Sequence, residues 1–253
     1  MLEISECDGI REIKLDRPPA NALNRELIAR LVEAIEGAAG AGARAVLLSG
    51  RPGMFSGGLD VPELIRLDRA EITQAWHDFY SCLKAIASSP LPVAAAITGH
   101  SAAGGAVLAL FCDLRVMAEG EFRIGFNEVS VGIPMPPLIY RAASRLVGWR
   151  QAERLCVGGL LVSAAEAERI SLVDELAPLD AVVARARARL EALLALPPLA
   201  MGETRKITRA EITVLFNQAE EAGEIDRVIE HWFSAETQQA LNALVARLTA
   251  KRG

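Results

Sequence analysis

Apolar and polar positions change in short runs through the first two-thirds of the chain and then settle into a helical period. Ile10 to Leu15 alternates as a half-buried strand does, and Asp16-Arg17-Pro18-Pro19 ends it in a turn. From Asn24 onward, Leu27, Ile28, Leu31, Val32 and Ile35 recur at helical spacing, and the glycines between Gly37 and Gly42 predict a stop. Arg44 to Ser49 is a short apolar run of the kind buried on both faces of a parallel sheet. Pro62 to Ser88 reads as helix with a break near Asp68. Pro92 to Thr98 reads as a second buried strand, Gly104 to Phe111 as a short apolar helix and Leu114 to Met117 as a further strand. Past about Pro134 the strand signal fades, and Ser163 to Arg169, Ala181 to Leu196 and Ile212 to Lys251 all read as helix.

Strand-helix-strand alternation at this spacing predicts βαβ units and an α/β fold with a mainly parallel sheet. The break at Leu196-Pro197-Pro198-Leu199 separates a core region, 1–196, from a helical C-terminal region, 197–253. Composition supports a sizeable core: 51% of the chain is hydrophobic and its mean hydropathy is +0.25. The net charge of -5 and the dispersed basic residues argue against a nucleic-acid partner. Arg185, Arg187 and Arg189, the densest basic group, alternate with alanine and read as a solvated helix face. Cys7, Cys82, Cys112 and Cys156 are widely spread, with no CxxC pair and no histidine at ligand spacing. They read as reduced packing residues of a cytoplasmic protein, with no metal site. Glu3, Glu6 and Asp8 make the first ten residues unlike a secretory signal, and no apolar run approaches the roughly 18 residues of a membrane span.

Chemistry concentrates in three segments. Phe55-Ser56-Gly57-Gly58-Leu59-Asp60 and Gly99-His100-Ser101-Ala102-Ala103-Gly104-Gly105 are Gly-rich turns, each between a predicted strand and a predicted helix. Small residues let backbone approach a ligand, and a helix N-terminus leaves N–H groups unpaired. Two such turns side by side would aim two N–H donors at one oxygen, as an oxyanion hole requires. Taken singly, each reads more simply as a tight packing turn, because Gly-rich connections are common. The third segment runs from Phe122 to Pro134 and sets Glu128 among Ile124, Phe126, Val129, Val131 and Ile133. Apolar surroundings raise a carboxyl pKa and suit it to general acid–base work, although a lone acidic residue also fits a solvated loop. His100-Ser101 is a near-miss for a serine nucleophile. Ala103 stands where G-x-S-x-G needs its last glycine, and neighbours on an extended chain point to opposite sides.

Together, in this order, the segments resemble the crotonase (enoyl-CoA hydratase/isomerase) superfamily over almost the whole chain. Arg17 to Asn24 is similar to the family's R-P-x-x-N-A-L loop, Phe55 to Asp60 to its F-S-A-G-x-D segment, and Ala103-Gly104-Gly105 to its second Gly-rich turn. Cys112 to Arg115 resembles its C-D-x-R stretch, and the run from Val157-Gly158-Gly159 to Val173 resembles a later segment. The resemblance implies the crotonase fold, a spiral of repeated ββα units with two sheets and a C-terminal helical trimerisation region. It implies oxyanion donors on the Leu59 and Gly104 N–H groups and Glu128 as acid/base. Ala20, Ala22, Gly57, Gly58 and Asp60 would lie against the acyl-CoA thioester, Asp60 in a structural turn role. Phe233 would approach the adenine of CoA on a neighbouring subunit, or pack in the core.

Hydratases of this superfamily carry a second glutamate three residues beyond the oxyanion glycine; Val107 occupies that position here. The surroundings of Glu128 and the chain's end resemble the Δ3,Δ2-enoyl-CoA isomerases, which implies proton shuttling by Glu128 alone, with CoA entering as part of the substrate and no other cofactor. A hydratase, a thioester hydrolase or a non-catalytic acyl-CoA-binding protein are the alternatives. The resemblance also implies a homotrimer or dimer of trimers. Leu64, Ile65, Pro134, Met135, Pro136 and Leu138 are the expected acyl wall, and Lys206 and Lys251 are candidates for CoA phosphates.

Overall fold

The alternating run becomes strand β2 (Ile10–Leu15), and the acidic segment before it is a strand as well, β1 (Leu2–Cys7), paired antiparallel to β2. These elements belong to a computed structural model that describes residues 1–250. Helix α1 (Arg25–Gly40) starts where Asn24 caps it, the side-chain oxygen accepting the Leu27 N–H at 3.0 Å. It runs to Gly40 and stops before Gly42, which takes a φ of +88°, so the end falls within the Gly37–Gly42 stretch that predicted it. Next come β3 (Ala45–Ser49), β4 (Gly53–Ser56), α2 (Val61–Leu64) and α3 (Arg69–Ser88). The predicted break at Asp68 is a capping box: Asp68 accepts the Glu71 N–H while Glu71 accepts the Asp68 N–H.

The chain continues through β5 (Val93–Ile97), β6 (Gly99–Ala102), α4 (Gly104–Leu110), β7 (Leu114–Ala118) and β8 (Arg123–Gly125) to a 3-10 turn, Glu128–Val131. Helices α5 (Pro137–Val147) and α6 (Trp149–Val157), strand β9 (Leu161–Ser163), helix α7 (Ala164–Arg169) and strand β10 (Glu175–Ala177) follow. Helices α8 (Val182–Leu194), α9 (Pro198–Glu221), α10 (Glu224–Trp232) and α11 (Ala235–Ala250) complete the described chain.

Three successive strand pairs, β3/β4, β5/β6 and β7/β8, each give their first strand to one sheet and their second to another. The larger sheet has the order β1-β2-β3-β5-β7-β10, parallel from β2 onward. The smaller is β4-β6-β8-β9, with β9 antiparallel. Both faces of the large sheet are covered, which is why β5 and all of β3 but Ser49 are apolar. One face meets α8 through Leu47, Ala94 and Val116 against Val182, Ala186 and Leu190. The other meets the main core, where Ile212, Phe216, Ile229, Trp232 and Leu241 of the C-terminal helices join α1, α3 and α4. The strands of the small sheet escaped the sequence reading because they are three or four residues long, too short to show a period, and all but β9 carry glycine. At Gly99 a Cβ would stand 1.9 Å from the Gly53 carbonyl carbon, so β4 and β6 meet at a distance that only glycine permits.

Arg185 and Arg189 are exposed, as a solvated helix face requires, and reach Glu175, while Arg187 is part-buried against Glu12. One smaller expectation is corrected. Cys82, Cys112 and Cys156 are buried packing residues, but Cys7, on the outer strand β1, is exposed.

Candidate active site

The loop after β2 is lashed to the turn after β4. Asn21 is fully buried; its side-chain amide donates to the carbonyls of Leu15 (3.0 Å), Met54 (3.1 Å) and Phe55 (3.0 Å), and its oxygen accepts the Arg17 N–H at 2.8 Å. Ser56 Oγ donates to the Asn21 carbonyl and accepts the Gly58 N–H. Gly57 N–H goes to Ala20, Asp60 N–H to Leu23 and Val61 N–H to the Leu59 carbonyl. Every amide from Gly57 to Val61 is thereby engaged except that of Leu59, which donates to no acceptor among the described residues.

The second turn supplies its counterpart. Ala103 N–H is held by the Gly125 carbonyl at 2.9 Å, and Ala103 adopts φ +46°, ψ -121°, a conformation that costs an L-residue of order 1–3 kcal/mol. This sharp bend starts α4 at Gly104, whose N–H precedes the first intrahelical bond and also lacks a partner among the described residues. The two turns touch. A Cβ on Gly58 would lie 3.0 Å from Gly104 N, and one on Gly104 would lie 3.3 Å from Leu59 N. Gly105 is required behind them, because a Cβ there would reach 2.5 Å from the Ser56 carbonyl oxygen.

Glu128 opens the 3-10 turn after β8 and is 7% exposed. Its Oε2 has no hydrogen-bond partner among the described residues. Burial pushes the carboxyl pKa up to about 7, opposed only by a hydrogen bond from its own backbone. Glu128, Leu59, Gly104, Ala20, Ala22, Gly57 and Asp60 all line one cavity of about 440 Å³. Gly58 lies behind that lining, against Gly104. Phe233 is elsewhere: the Arg69 guanidinium sits over its ring, 4.8 Å from the centroid.

Asp60 caps α2 by accepting the Glu63 N–H and pairs with Arg17 at 2.7 Å, so its charge is already compensated. Val107 is fully buried in the core and is not part of the lining. His100 faces outward, while the Ser101 hydroxyl is buried on the opposite side with no partner, so the pair forms no nucleophile–base couple. His77 and His231 are exposed, Trp232 is core, and Lys206 pairs with Glu203 on the surface. Lys251 lies outside the described residues.

Of the six expected wall residues only Pro136 lines the cavity. Helix α5 begins at Pro137, so Pro136 and Ile139 share the inward side, Leu64 and Leu138 sink into the core, and Pro134 turns outward. The rest of the apolar wall comes from Trp76 and Phe79 of α3, Val131 and Ile133, and Leu244 and Leu248 of α11. Sequence reasoning missed these because apolar i,i+3 and i,i+4 pairs on a helix signal packing without saying against what.

The arrangement pairs two unengaged backbone donors with one desolvated carboxyl across an apolar cavity, which is a layout for forming and stabilising an enolate. The Enoyl-CoA hydratase/isomerase family profile matches residues 5–251. The chain belongs to the enoyl-CoA hydratase/isomerase family. Within this family it is similar to Enoyl-CoA delta isomerase 1, mitochondrial, of Mus musculus, at 32% identity over all of this chain and 88% of the relative. The human counterpart is 30% identical over 97% of this chain and 82% of its own length. A putative enoyl-CoA hydratase of Thermus thermophilus is 34% identical over 75% of this chain and 76% of its own. The crystal structure of human mitochondrial delta3-delta2-enoyl-CoA isomerase superposes with a TM-score of 0.94 at 28% identity, covering 100% of this chain and 99% of that one. The protein is an enzyme of this family with the crotonase fold, and its described residues contain no helix long and apolar enough to cross a membrane.

Proposed function

We propose that the enzyme converts 3-enoyl-CoA thioesters to 2-enoyl-CoA thioesters, with Glu128 carrying the proton in both directions. One observation supports this above the others: Arg17, Asp60 and Glu128 are the charged side chains of the cavity lining, and Arg17 and Asp60 neutralise each other. Glu128 is then the one carboxyl of the lining free to exchange a proton, whereas adding water across a double bond calls for two proton-transferring groups. The isomerase names of the mammalian relatives support the same reading.

The thioester oxygen accepts the N–H groups of Leu59 and Gly104. The Glu128 carboxylate takes a proton from C2, and the electron pair spreads into a dienolate whose charge gathers on that oxygen. Each donor there contributes about 3 kcal/mol to the transition state. The protonated carboxyl then delivers the same proton to C4, and the double bond settles between C2 and C3. Atoms and oxidation state are conserved, so the reaction balances with no redox partner or metal, and CoA arrives with the substrate.

Assembly as a homotrimer or dimer of trimers is supported by apolar side chains left exposed near the Pro197 break and along α9, Leu196, Leu199, Ile207 and Val214. A monomer mass in light scattering would refute it. The cytoplasmic placement rests on the unpaired cysteines, against relatives that carry a mitochondrial designation.

The test is an assay with two substrates. Gain of conjugated-thioester absorbance from a 3-enoyl-CoA, without its loss from a 2-enoyl-CoA, is the expected result. Loss from the 2-enoyl-CoA would indicate hydration instead.

A further inference from the structure

The Glu128 side chain is not anchored by a hydrogen-bonding neighbour at Oε2, so its position is inherited from the backbone turn that carries it. That turn closes through Gly132 N–H to the Val129 carbonyl at 3.2 Å and Ile133 N–H to the Glu128 carbonyl at 3.1 Å. Its outward end, the Gly132 carbonyl, is held from a remote part of the chain: Thr237 Oγ1 donates to it at 2.5 Å. A carbonyl oxygen only accepts, so the Thr237 proton is committed to it, and Ser234 Oγ in turn donates to Thr237 Oγ1 at 3.0 Å. Thr237 is 2% exposed. The approach is backbone to backbone: Gly132 has φ +76°, and a Cβ on it would stand 2.9 Å from the Thr237 Cα. Helix α11, which carries Thr237, also places Leu241 in the core and Leu244 and Leu248 in the cavity wall, at helical spacings of four, three and four.

We propose that Thr237 is a positioning residue for the catalytic base, its hydroxyl fixing the Gly132 end of the turn so that Glu128 meets the substrate's C2 hydrogen. The proposal rests on Glu128 acting as the base of the reaction assigned above. The same helix meets the acyl chain through Leu244 and Leu248, so contact energy far from the reacting carbons bears on where the base stands. A longer acyl chain therefore raises kcat as well as lowering KM.

Thr237→Val keeps the shape of the side chain and removes the hydroxyl; Thr237→Ser restores it. Two reactions are read on each variant: isomerisation of a 3-enoyl-CoA, and exchange of the C2 hydrogens of a saturated acyl-CoA in D2O, which needs the base and the oxyanion donors but no double-bond shift. Thr237→Val is expected to lower kcat and the exchange rate by about 10- to 100-fold, the scale of a small misplacement of a reacting group, with KM little changed. Thr237→Ser is expected to recover most of the loss. Ser234→Ala, a milder change that leaves Thr237 in place, should reduce both rates by a smaller factor. Thr237→Val at wild-type rates, or a Thr237→Ser variant as impaired as Thr237→Val, would overturn the proposal, and if Thr237→Val fails to fold, unaltered rates in Ser234→Ala would do so. Wild-type enzyme that exchanges but does not isomerise would overturn only the assigned reaction. Wild-type enzyme that does neither would overturn both.

Discussion

The donors of Leu59 and Gly104 and the carboxylate of Glu128 face one cavity but are fixed by different means. The donors are backbone groups. Leu59 N–H is left over because its neighbours are all engaged, and Gly104 N–H is aimed by a strained bend between β6 and α4. Glycines at 58, 104 and 105 let the two turns close on each other. Nothing in that half titrates near neutrality. Glu128 is a side chain on a four-residue turn, desolvated and without a charged partner, and its proton affinity is set by what surrounds it. A backbone site is robust once the fold exists, whereas a side-chain site can be tuned by its environment and spoiled by it.

The largest expected effect removes the tuned half. Glu128→Gln should lower kcat by on the order of 10²–10⁴-fold, since the amide cannot carry the proton. Affinity for a saturated acyl-CoA should hold, because the donors and the apolar wall are untouched. A variant that kept wild-type turnover would mean that another group moves the proton. Gly104→Ala strikes the other half. Its methyl group would stand 3.3 Å from Leu59 N, over the donor pair. Loss of one oxyanion donor costs about 10²–10³-fold in kcat, and the remaining activity should keep the wild-type pH profile. A profile that shifted would show that the two halves are not separable.

The pH dependence belongs to Glu128. With a pKa of about 7, the basic form is scarce in acid, so kcat/KM should rise about tenfold per pH unit up to about pH 7 and then level. Stability should run the other way. The folded state holds this proton more tightly than the unfolded chain, whose carboxyl has the ordinary value of 4.5. Between pH 4.5 and about 7 the folded protein therefore binds more protons, and the group's contribution to stability, complete below pH 4.5, is lost as pH rises through 7. Glu128→Gln removes that cost and should be more stable than wild type at pH 8, by up to about 3 kcal/mol, with the gain gone at pH 4.5. Equal denaturation midpoints for the two proteins at pH 8 would show that Glu128 is better solvated than its burial implies.

How far the sequence could be read follows the same division. Gly57-Gly58, Gly104-Gly105 and the apolar runs of β3 and β5 are local signals, because a glycine needed for close approach and a run buried on both faces leave their mark in a few adjacent residues. Glu128 lies among apolar neighbours, but only its order after the two Gly-rich turns sets it apart from a solvated loop residue. The strands of the second sheet could not, since three residues such as Arg123–Gly125 show no period. Nor could Trp76, Leu244 and Leu248, whose facing a cavity depends on how distant helices dock. Of the wall expected from the run Pro134 to Leu138 only Pro136 lines the cavity, for the same reason. Where α5 begins decides which of those residues turn inward, and three prolines within four residues leave its first turn open to several registers.

The smallest effect tests that docking. Leu244 is partly exposed and reaches the cavity wall from α11, while Leu241, one turn earlier, is fully buried and anchors the helix. Leu244→Ala should therefore leave the fold in place and remove part of the acyl contact. About 1 kcal/mol is at stake for the few carbon atoms lost from a surface already half solvated, or roughly fivefold in kcat/KM for a long-chain 3-enoyl-CoA. A short-chain substrate that does not reach α11 should show no change. If kcat for the long chain falls as well, the remote contact acts on the Glu128 turn through α11 and Thr237, and the tuned half of the site extends into the C-terminal helices. If only KM moves, α11 is a passive wall, and the placement of Glu128 is settled before the acyl chain arrives.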